Sequence, residues 1–344
     1  MTAIKYIKLQ NFRSHRNIDI NFNKGITLIT GLNGSGKTSI LEAIYINLNG
    51  SLFRGAYIDI VNHNSDWWRV DIINNSNTTR SVLFDSSKSI GRRKFIIDNK
   101  VSYRLSQNNK FPIVLFEPDD LLLINGSPSR RRLFIDNLIC QLNPNYKSIL
   151  NKYDRALKQR NNLLKNVNAK KDELFVWDLL ISDYGYIIIK NRVKYINLLE
   201  TKLSKIYNSI SNTNDMININ YSHNISNQKL LNDLNNSHTK DKLSGSTSIG
   251  PHRHDVIVLF NNKPANTTAS RGEIRSIILS LKFLEVKIIE DILNTKPIIL
   301  LDDVYSELDE NRRNKLINNV VDYQVIMTNT HTISDFKSYN HIKL

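Results

Sequence analysis

The chain of 344 residues has one cysteine, Cys140. An internal disulfide is therefore impossible, which fits a reducing cytoplasm. No apolar run approaches the ~20 residues that a membrane-spanning helix needs. The opening stretch, MTAIKYIKLQNF, lacks the long apolar core of a signal peptide. These absences lead to the expectation of a soluble cytoplasmic protein with no membrane partner. Internal repeats and low-complexity tails are also missing, so a repeat array is not expected. Acidic residues are in short supply: 32 Asp and Glu stand against 47 Lys and Arg, a net charge of +15. That balance suits an acidic partner such as nucleic acid. An Asn-, Ile- and Lys-rich composition would produce it too, and charge alone does not separate the two.

What is present suffices for one large domain or two, with a hydrophobic content of 40% for a core. IKYIKLQNF and NIDINF alternate as half-buried strands do, and GITLIT (25–30) is a short buried strand. A helix is expected from Lys37, β-rich chain over 67–105, and a buried strand in FPIVLFEP (111–118). From about Leu121 to Ile210 the pattern turns helical. Trp177, Ile181, Tyr184, Ile188, Tyr195, Leu199, Leu203, Ile206 and Ile210 recur in steps of three, four or seven, one face of a long amphipathic helix. Residues 209–228 mix loop and strand. GPHRHDVIVLF returns to sheet at residue 250, and a helix spans roughly 271–293. A buried strand behind Pro297, a helix and the strand QVIMTN complete the pattern.

GLNGSGKT, Gly31 to Thr38, fits the phosphate-loop pattern G-x-x-x-x-G-K-[ST] in full. Gly31, Gly34 and Gly36 let backbone N–H groups turn inward where side chains would block a phosphate. Leu32, Asn33, Ser35 and Ser39 complete the cradle, and the following helix points its positive end at the same place. Lys37 carries a cation to the β- and γ-phosphates, and the Thr38 hydroxyl is a ligand for Mg²⁺. ATP with Mg²⁺ is the cofactor these residues imply.

LLDDVYSELD (300–309) places Asp302 and Asp303 directly after the buried strand. Carboxylates there are costly unless a positive partner meets them. Asp302 has one in the Mg²⁺ of the nucleotide, the Walker B arrangement. Asp303 faces either a water aligned with the γ-phosphate, as general base, or a cap or salt-bridge partner. Before it comes ASRGEIRS (269–276), where Ser270 and Glu273 form a capping box. A helix start carrying a Ser hydroxyl and Gly272 is also an anion site. Facing the γ-phosphate of a second copy, it would make ATP the bridge of a homodimer.

Phosphate loop, S-x-G-[QE] helix start, LLDD and SELD follow the order of ABC-type ATPase heads, and LQNFRSH resembles their SMC-like branch. Within that branch the chain resembles the RecF family of bacterial recombinational repair. The stretches GLNGSGKTSILEAIY, FEPDDLLLINGSPSRRRLFID, LKQRN, GPHRHD, SRGE and LLDDVYSELD carry the likeness along nearly the whole chain. It implies an α/β fold: an ABC-type P-loop ATPase head over 1–118 and 240–344, with a mainly helical lobe inserted at 119–239. Arg271 and Glu273 replace the Gly and Gln of most ABC signatures, and Asp303 replaces the usual Glu. The shorter Asp suggests slow hydrolysis suited to a switch. The family's Q-loop glutamine has Glu117 as its nearest candidate, and His331 stands near the expected switch histidine.

The likeness further implies an ATP-dependent dimer that clamps double-stranded DNA or single-strand/double-strand junctions. RecR and RecO would be its partners in helping RecA. A transporter-type or SMC-type ATPase subunit is the alternative, but no long heptad arms are present for the latter. His252, His254 and Asp255 in GPHRHD suggest a metal site only weakly, and the likeness makes them a structural or interface loop. Arg130, Arg131 and Arg132 are either a solvated face or phosphate contacts.

Overall fold

Side-chain alternation sets the first sheet. In β1 (Ile4–Phe12) the residues Ile7 and Leu9 face the core, and a register shift between Ile4 and Tyr6 turns Ile4 inward as well. β2 (His15–Asn21), β3 (Ile26–Thr30), α1 (Lys37–Asn49), β4 (Trp67–Asn74), β5 (Thr79–Asp85), β6 (Arg93–Ile97), β7 (Lys100–Ser102) and β8 (Ile113–Phe116) follow. The computed structural model describes residues 3–90, 92–166, 170–221, 226–333 and 339–344. The chain divides into two units, Met1–Asp120 with Glu285–Leu344, and Leu121–Leu284.

The second unit contains α2 (Leu122–Asn125), α3 (Pro128–Leu142), α4 (Tyr146–Leu164), α5 (Lys171–Ser211), β9 (Ile217–Tyr221), α6 (Asn227–Asn236), α7 (His238–Ser244), β10 (Val256–Phe260), β11 (Lys263–Pro264) and α8 (Ala265–Thr268). The boundary between units falls inside α9 (Arg271–Leu293). The chain then returns to the first unit with β12 (Ile298–Leu301), α10 (Glu310–Val320), β13 (Val325–Asn329) and β14 (Asn340–Lys343). No helix of the described residues is long and apolar enough to cross a membrane.

In the first unit, β2-β1-β4-β5-β6-β7 form an antiparallel sheet, while β14-β3-β13-β12-β8 form a parallel one. β3, β12 and β13 are buried at every position, as expected of strands covered on both faces. Helix α1 contacts strands of both sheets, and Ile40, Leu41, Ile44 and Ile46 join one apolar core with Trp68, Val70, Leu300 and Ile326. Burial of a helix on so many sides fixes where its first turn can point, and that turn carries the phosphate-loop lysine.

The second unit is built on α5, 41 residues long. Its apolar stripe includes Ile181, Ile188, Leu199 and Leu203, all buried. The same interior also holds charge. Arg160 on α4 is fully buried and donates to Asp178 of α5 at 2.6 Å, and to Asp241 of α7 at 2.7 Å. A guanidinium left there without its acids would cost about 3–5 kcal/mol, so one side chain ties three helices together. The division differs from the expected one: residues 240–284, anticipated in the ATPase head, pack with the second unit. The reason is long-range pairing, because β10 runs antiparallel to β9 from Val256↔Tyr221 to Phe260↔Ile217. Of the stretch expected to mix loop and strand, Ser222, His223, Asn224 and Ile225 lie outside the described residues.

Candidate nucleotide site

The loop Gly31 to Gly36 joins the C-terminal end of β3 to α1. Gly34 and Gly36 have φ of 83° and 92°, the left-handed region where other residues are strained. A Cβ at Gly36 would also lie 2.3 Å from His15 Nε2, so glycine is required there twice over. Gly36 caps α1 without a side-chain hydrogen bond, and no acidic residue stands in the first turn. The first N–H groups of the helix are thus left for an external anion. Ser35 Oγ is buried with no hydrogen-bond partner among the described residues. Lys37 is buried, and its Nζ donates to the carbonyls of Gly31 at 2.9 Å and Leu32 at 3.1 Å. A cation held by two neutral carbonyls in a mostly dehydrated place is poised for a phosphate.

Thr38, the next residue, meets the end of β12: its Oγ1 donates to Asp302 Oδ1 at 2.8 Å. Asp302 is buried, and burial pushes its pKa above the usual carboxylate value. The nearby Asp303 charge acts in the same direction, while hydrogen bonds from Thr38 and Thr328 oppose it. A divalent cation would relieve that burial. The donors present, one hydroxyl and one carboxylate, are hard oxygens of the kind Mg²⁺ takes when phosphates supply the remainder. No group of three or more His, Cys, Asp or Glu capable of holding a metal occurs among the described residues. Asp303 has φ of 49°, and its Oδ1 is buried with no hydrogen-bond partner among the described residues.

A cavity of about 760 Å³ opens over the loop. Asn33, Gly34, Gly36, Lys37, Thr38, Ser39 and Asp303 line one side. Gly31, Leu32, Ser35 and Asp302 are not among the lining residues, and the Leu32 side chain is exposed. The other side consists of Arg13, Ser14, Arg16, Asp59 and Val61 to Asn64, to which the sequence had suggested no role. Pairing of the strands explains their arrival. Phe12 bridges to Val61, Arg13 N–H donates to Ile60 O at 2.7 Å, and Asn62 Nδ2 donates to Arg13 O at 2.6 Å. Arg13 also forms a fork on the buried Glu42 of α1, with two bonds of 3.0 Å. LQNFRSH carries family resemblance, but the chemistry of its Arg13 emerges only with Glu42 and Asn62 as its partners.

Ser270 and Gly272 belong to the second unit. There the capping box forms: Ser270 N–H donates to Glu273 Oε2 at 2.6 Å, and Glu273 N–H donates to Ser270 Oγ at 3.3 Å. Glu117 pairs with Arg54 at 3.0 Å. His331 is exposed, and its carbonyl accepts from Asn329 Nδ2.

The GPHRHD residues point to different partners. His252 accepts from the Tyr153 hydroxyl at 2.6 Å and donates from Nε2 to Thr247 O at 3.1 Å. Burial lowers its pKa to about 4, so the ring is neutral. His254 Nδ1 lies 3.0 Å from the Tyr221 hydroxyl, and Asp255 takes the Arg131 fork at 2.8 and 2.7 Å. Arg132 donates to His254 O. Arg131 and Arg132 are thereby tied into this network, while Arg130 is exposed.

A family profile for an AAA domain matches residues 6–320. The DNA replication and repair protein RecF of Agathobacter rectalis is 34% identical over 333 residues, covering 95% of this chain and 92% of its own. Two solved structures of the recombination mediator protein RecF in the RecFOR pathway superpose on the chain. The one described as RecF-ATPrS does so with a TM-score of 0.89, at 30% identity, over 100% of this chain and 96% of that one. The one described as RecF-ATP gives 0.87, at 31% identity, over 98% and 94%. The Smc head domain of Pyrococcus furiosus shares the fold, with a TM-score of 0.54 at 17% identity over 96% and 90%. An α/β head of the ABC type, a phosphate loop facing two aspartates and full-length likeness converge on one assignment: the chain belongs to the RecF family.

Proposed function

We propose that the chain is a DNA-repair ATPase of the RecFOR pathway that works in the cytoplasm as an ATP-operated clamp on DNA. The observation that carries this is the meeting of Thr38, Asp302 and Asp303 beside a loop built for phosphate. The RecF relatives described with ATP support the choice of nucleotide. Residues Gly31 to Ser39 wrap the phosphates, and Lys37 exchanges its carbonyl partners for β- and γ-phosphate oxygens. Thr38 and Asp302 hold Mg²⁺, and Asp303 accepts a proton from the attacking water.

Ser270 and Gly272 offer the start of α9 to the γ-phosphate bound by a second copy, so two ATP molecules join two heads. The closed dimer holds double-stranded DNA or a single-strand/double-strand junction. Slow hydrolysis releases it, and RecR and RecO act with it in loading RecA. Ser270→Arg tests the bridge. ATP affinity should stay parental, the ATP-dependent dimer should vanish from light scattering, and turnover should fall below about one-tenth. Loss of the cap costs about 1 kcal/mol of stability, which melting measures separately. Parental dimerisation of this variant would refute the bridged arrangement.

DNA binding across a salt series tests the clamp. Each phosphate neutralised steepens the slope by about 0.9 log units per log unit of salt. A closed dimer makes more contacts than one head, so the slope should be steeper with a non-hydrolysable ATP analogue than without nucleotide. Equal slopes would mean that ATP and DNA are not coupled, leaving the charge of +15 as general attraction.

A further inference from the structure

Thr328 is the one hydroxyl-bearing residue of β13, directly after the apolar run Val325 to Met327, and it is fully buried. Valine has the same shape and suits a strand as well. A buried hydroxyl is therefore a cost unless it has partners. Its partners are the two acids of the site. β13 lies between the phosphate-loop strand β3 and β12, with Met327 opposite Leu301, so the next residue reaches the end of β12. Thr328 Oγ1 donates to Asp302 Oδ1 at 2.9 Å and accepts the Asp303 N–H at 3.0 Å. Leu301 O, at 3.5 Å, is the longer alternative for the same single proton.

Each bond has a consequence. Asp302 Oδ1 accepts two hydroxyl hydrogen bonds, from Thr38 and from Thr328, which together fix the orientation of its carboxylate. Asp303 adopts φ of 49°, a conformation that L-residues other than Asn and Asp rarely enter. Its N–H bond to Thr328 holds that turn, which leaves the Asp303 carboxylate among the cavity-lining groups. Thr38 is set by the loop and Asp302 by β12, and the single Thr328 hydroxyl bonds to both acids.

We propose that Thr328 is a positioning residue of the hydrolytic site: through one hydroxyl it fixes the Mg²⁺-binding acid and the water-activating acid in register with each other. The proposal rests on the reading of this cavity as an ATP and Mg²⁺ site. It adds that the register of the two acids is set from β13, a strand that carries none of the recognised motifs.

Thr328→Val removes the hydroxyl at constant shape. The test measures phosphate release and the binding of a fluorescent ATP analogue, each with Mg²⁺ varied and with EDTA. The expected result is a turnover about 10- to 100-fold lower and a comparable rise in the Mg²⁺ needed for half-saturation, as for other partners behind a metal ligand. Nucleotide affinity in EDTA should change less than about twofold, because the loop contacts remain. Thr328→Ser keeps the hydroxyl and should hold turnover within about threefold of parental. Circular dichroism establishes that each variant is folded; if the valine variant is not, Thr328→Ala takes its place.

Parental turnover and Mg²⁺ response in the folded hydroxyl-free variant would overturn the proposal and leave the ATP site standing. A loss in Thr328→Ser as large as in Thr328→Val would also overturn it, since shape rather than the hydroxyl would then matter. A parental protein that binds no ATP would overturn the reading of the cavity itself, and this proposal with it.

Discussion

Asp303→Asn is expected to lower ATP turnover about 10²- to 10⁴-fold, the usual contribution of a positioned general base. The substitution is favourable for such a test. Asn tolerates the left-handed backbone that Asp303 adopts at φ of 49°, so the turn survives. Asp302 and Thr38 remain bonded at 2.8 Å, so the metal-binding pair is untouched. The variant should therefore bind ATP within about threefold of the parental affinity and should accumulate as a nucleotide-bound dimer. Single-turnover phosphate release, alongside equilibrium binding, separates the two effects. Unchanged turnover would reduce Asp303 to a helix-start or turn residue, and the search for the base would have to begin again elsewhere in the cavity.

Lys37→Ala should act on binding instead. The ammonium is buried, and its hydrogen-bond partners among the described residues are two neutral carbonyls. Each charge-assisted hydrogen bond to a phosphate is worth roughly 1.5–3 kcal/mol, so an affinity loss of about 100-fold or more is expected. Melting should change little or rise slightly, because a buried charge without a full counter-charge is removed. Calorimetric titration with ATP measures the loss. An affinity equal to the parental one would remove the phosphate-loop assignment, whatever the pattern of glycines suggests.

The parts of this site that were legible in the sequence are those whose chemistry is local. The loop from Gly31 to Thr38 carries its own turn residues, its lysine and its helix start within eight positions. Asp302 and Asp303 follow an apolar strand directly. Ser270 and Glu273 are three residues apart, and the capping box between them forms as spacing implies. Arg13, Asn62, His63 and Thr328 were not legible as site residues, because their meaning comes from sheet pairing. Phe12 must bridge to Val61 before Arg13 and Asn62 share a wall, and β13 must lie beside β12 before a threonine can hold two aspartates. GPHRHD illustrates the same limit from the other side. Two histidines at i and i+2 resemble a metal pair, but Tyr153 and Tyr221 turn them to separate partners. The helical lobe was likewise legible in its apolar stripe. Its buried Arg160 was not, since Asp241 is 81 residues away.

The parallel sheet joins segments that a ribosome delivers far apart in time. The sheet neighbours of β3 are β13 and β14, and roughly 300 residues separate Thr30 from Val325. At about 5–20 residues per second, the phosphate-loop strand waits roughly 15–60 s for its partners. During that interval Ile26, Leu28 and Ile29 have no sheet to enter. The second unit, by contrast, is contiguous from Leu121 to Leu284 and has all its own strands and the acids of Arg160 before β12 is made. Maturation is therefore ordered by synthesis: the inserted unit can close first, and nucleotide competence arrives only with the last strands. Until β13 and β14 emerge, the apolar strand β3 is the part of the first unit most open to wrong association.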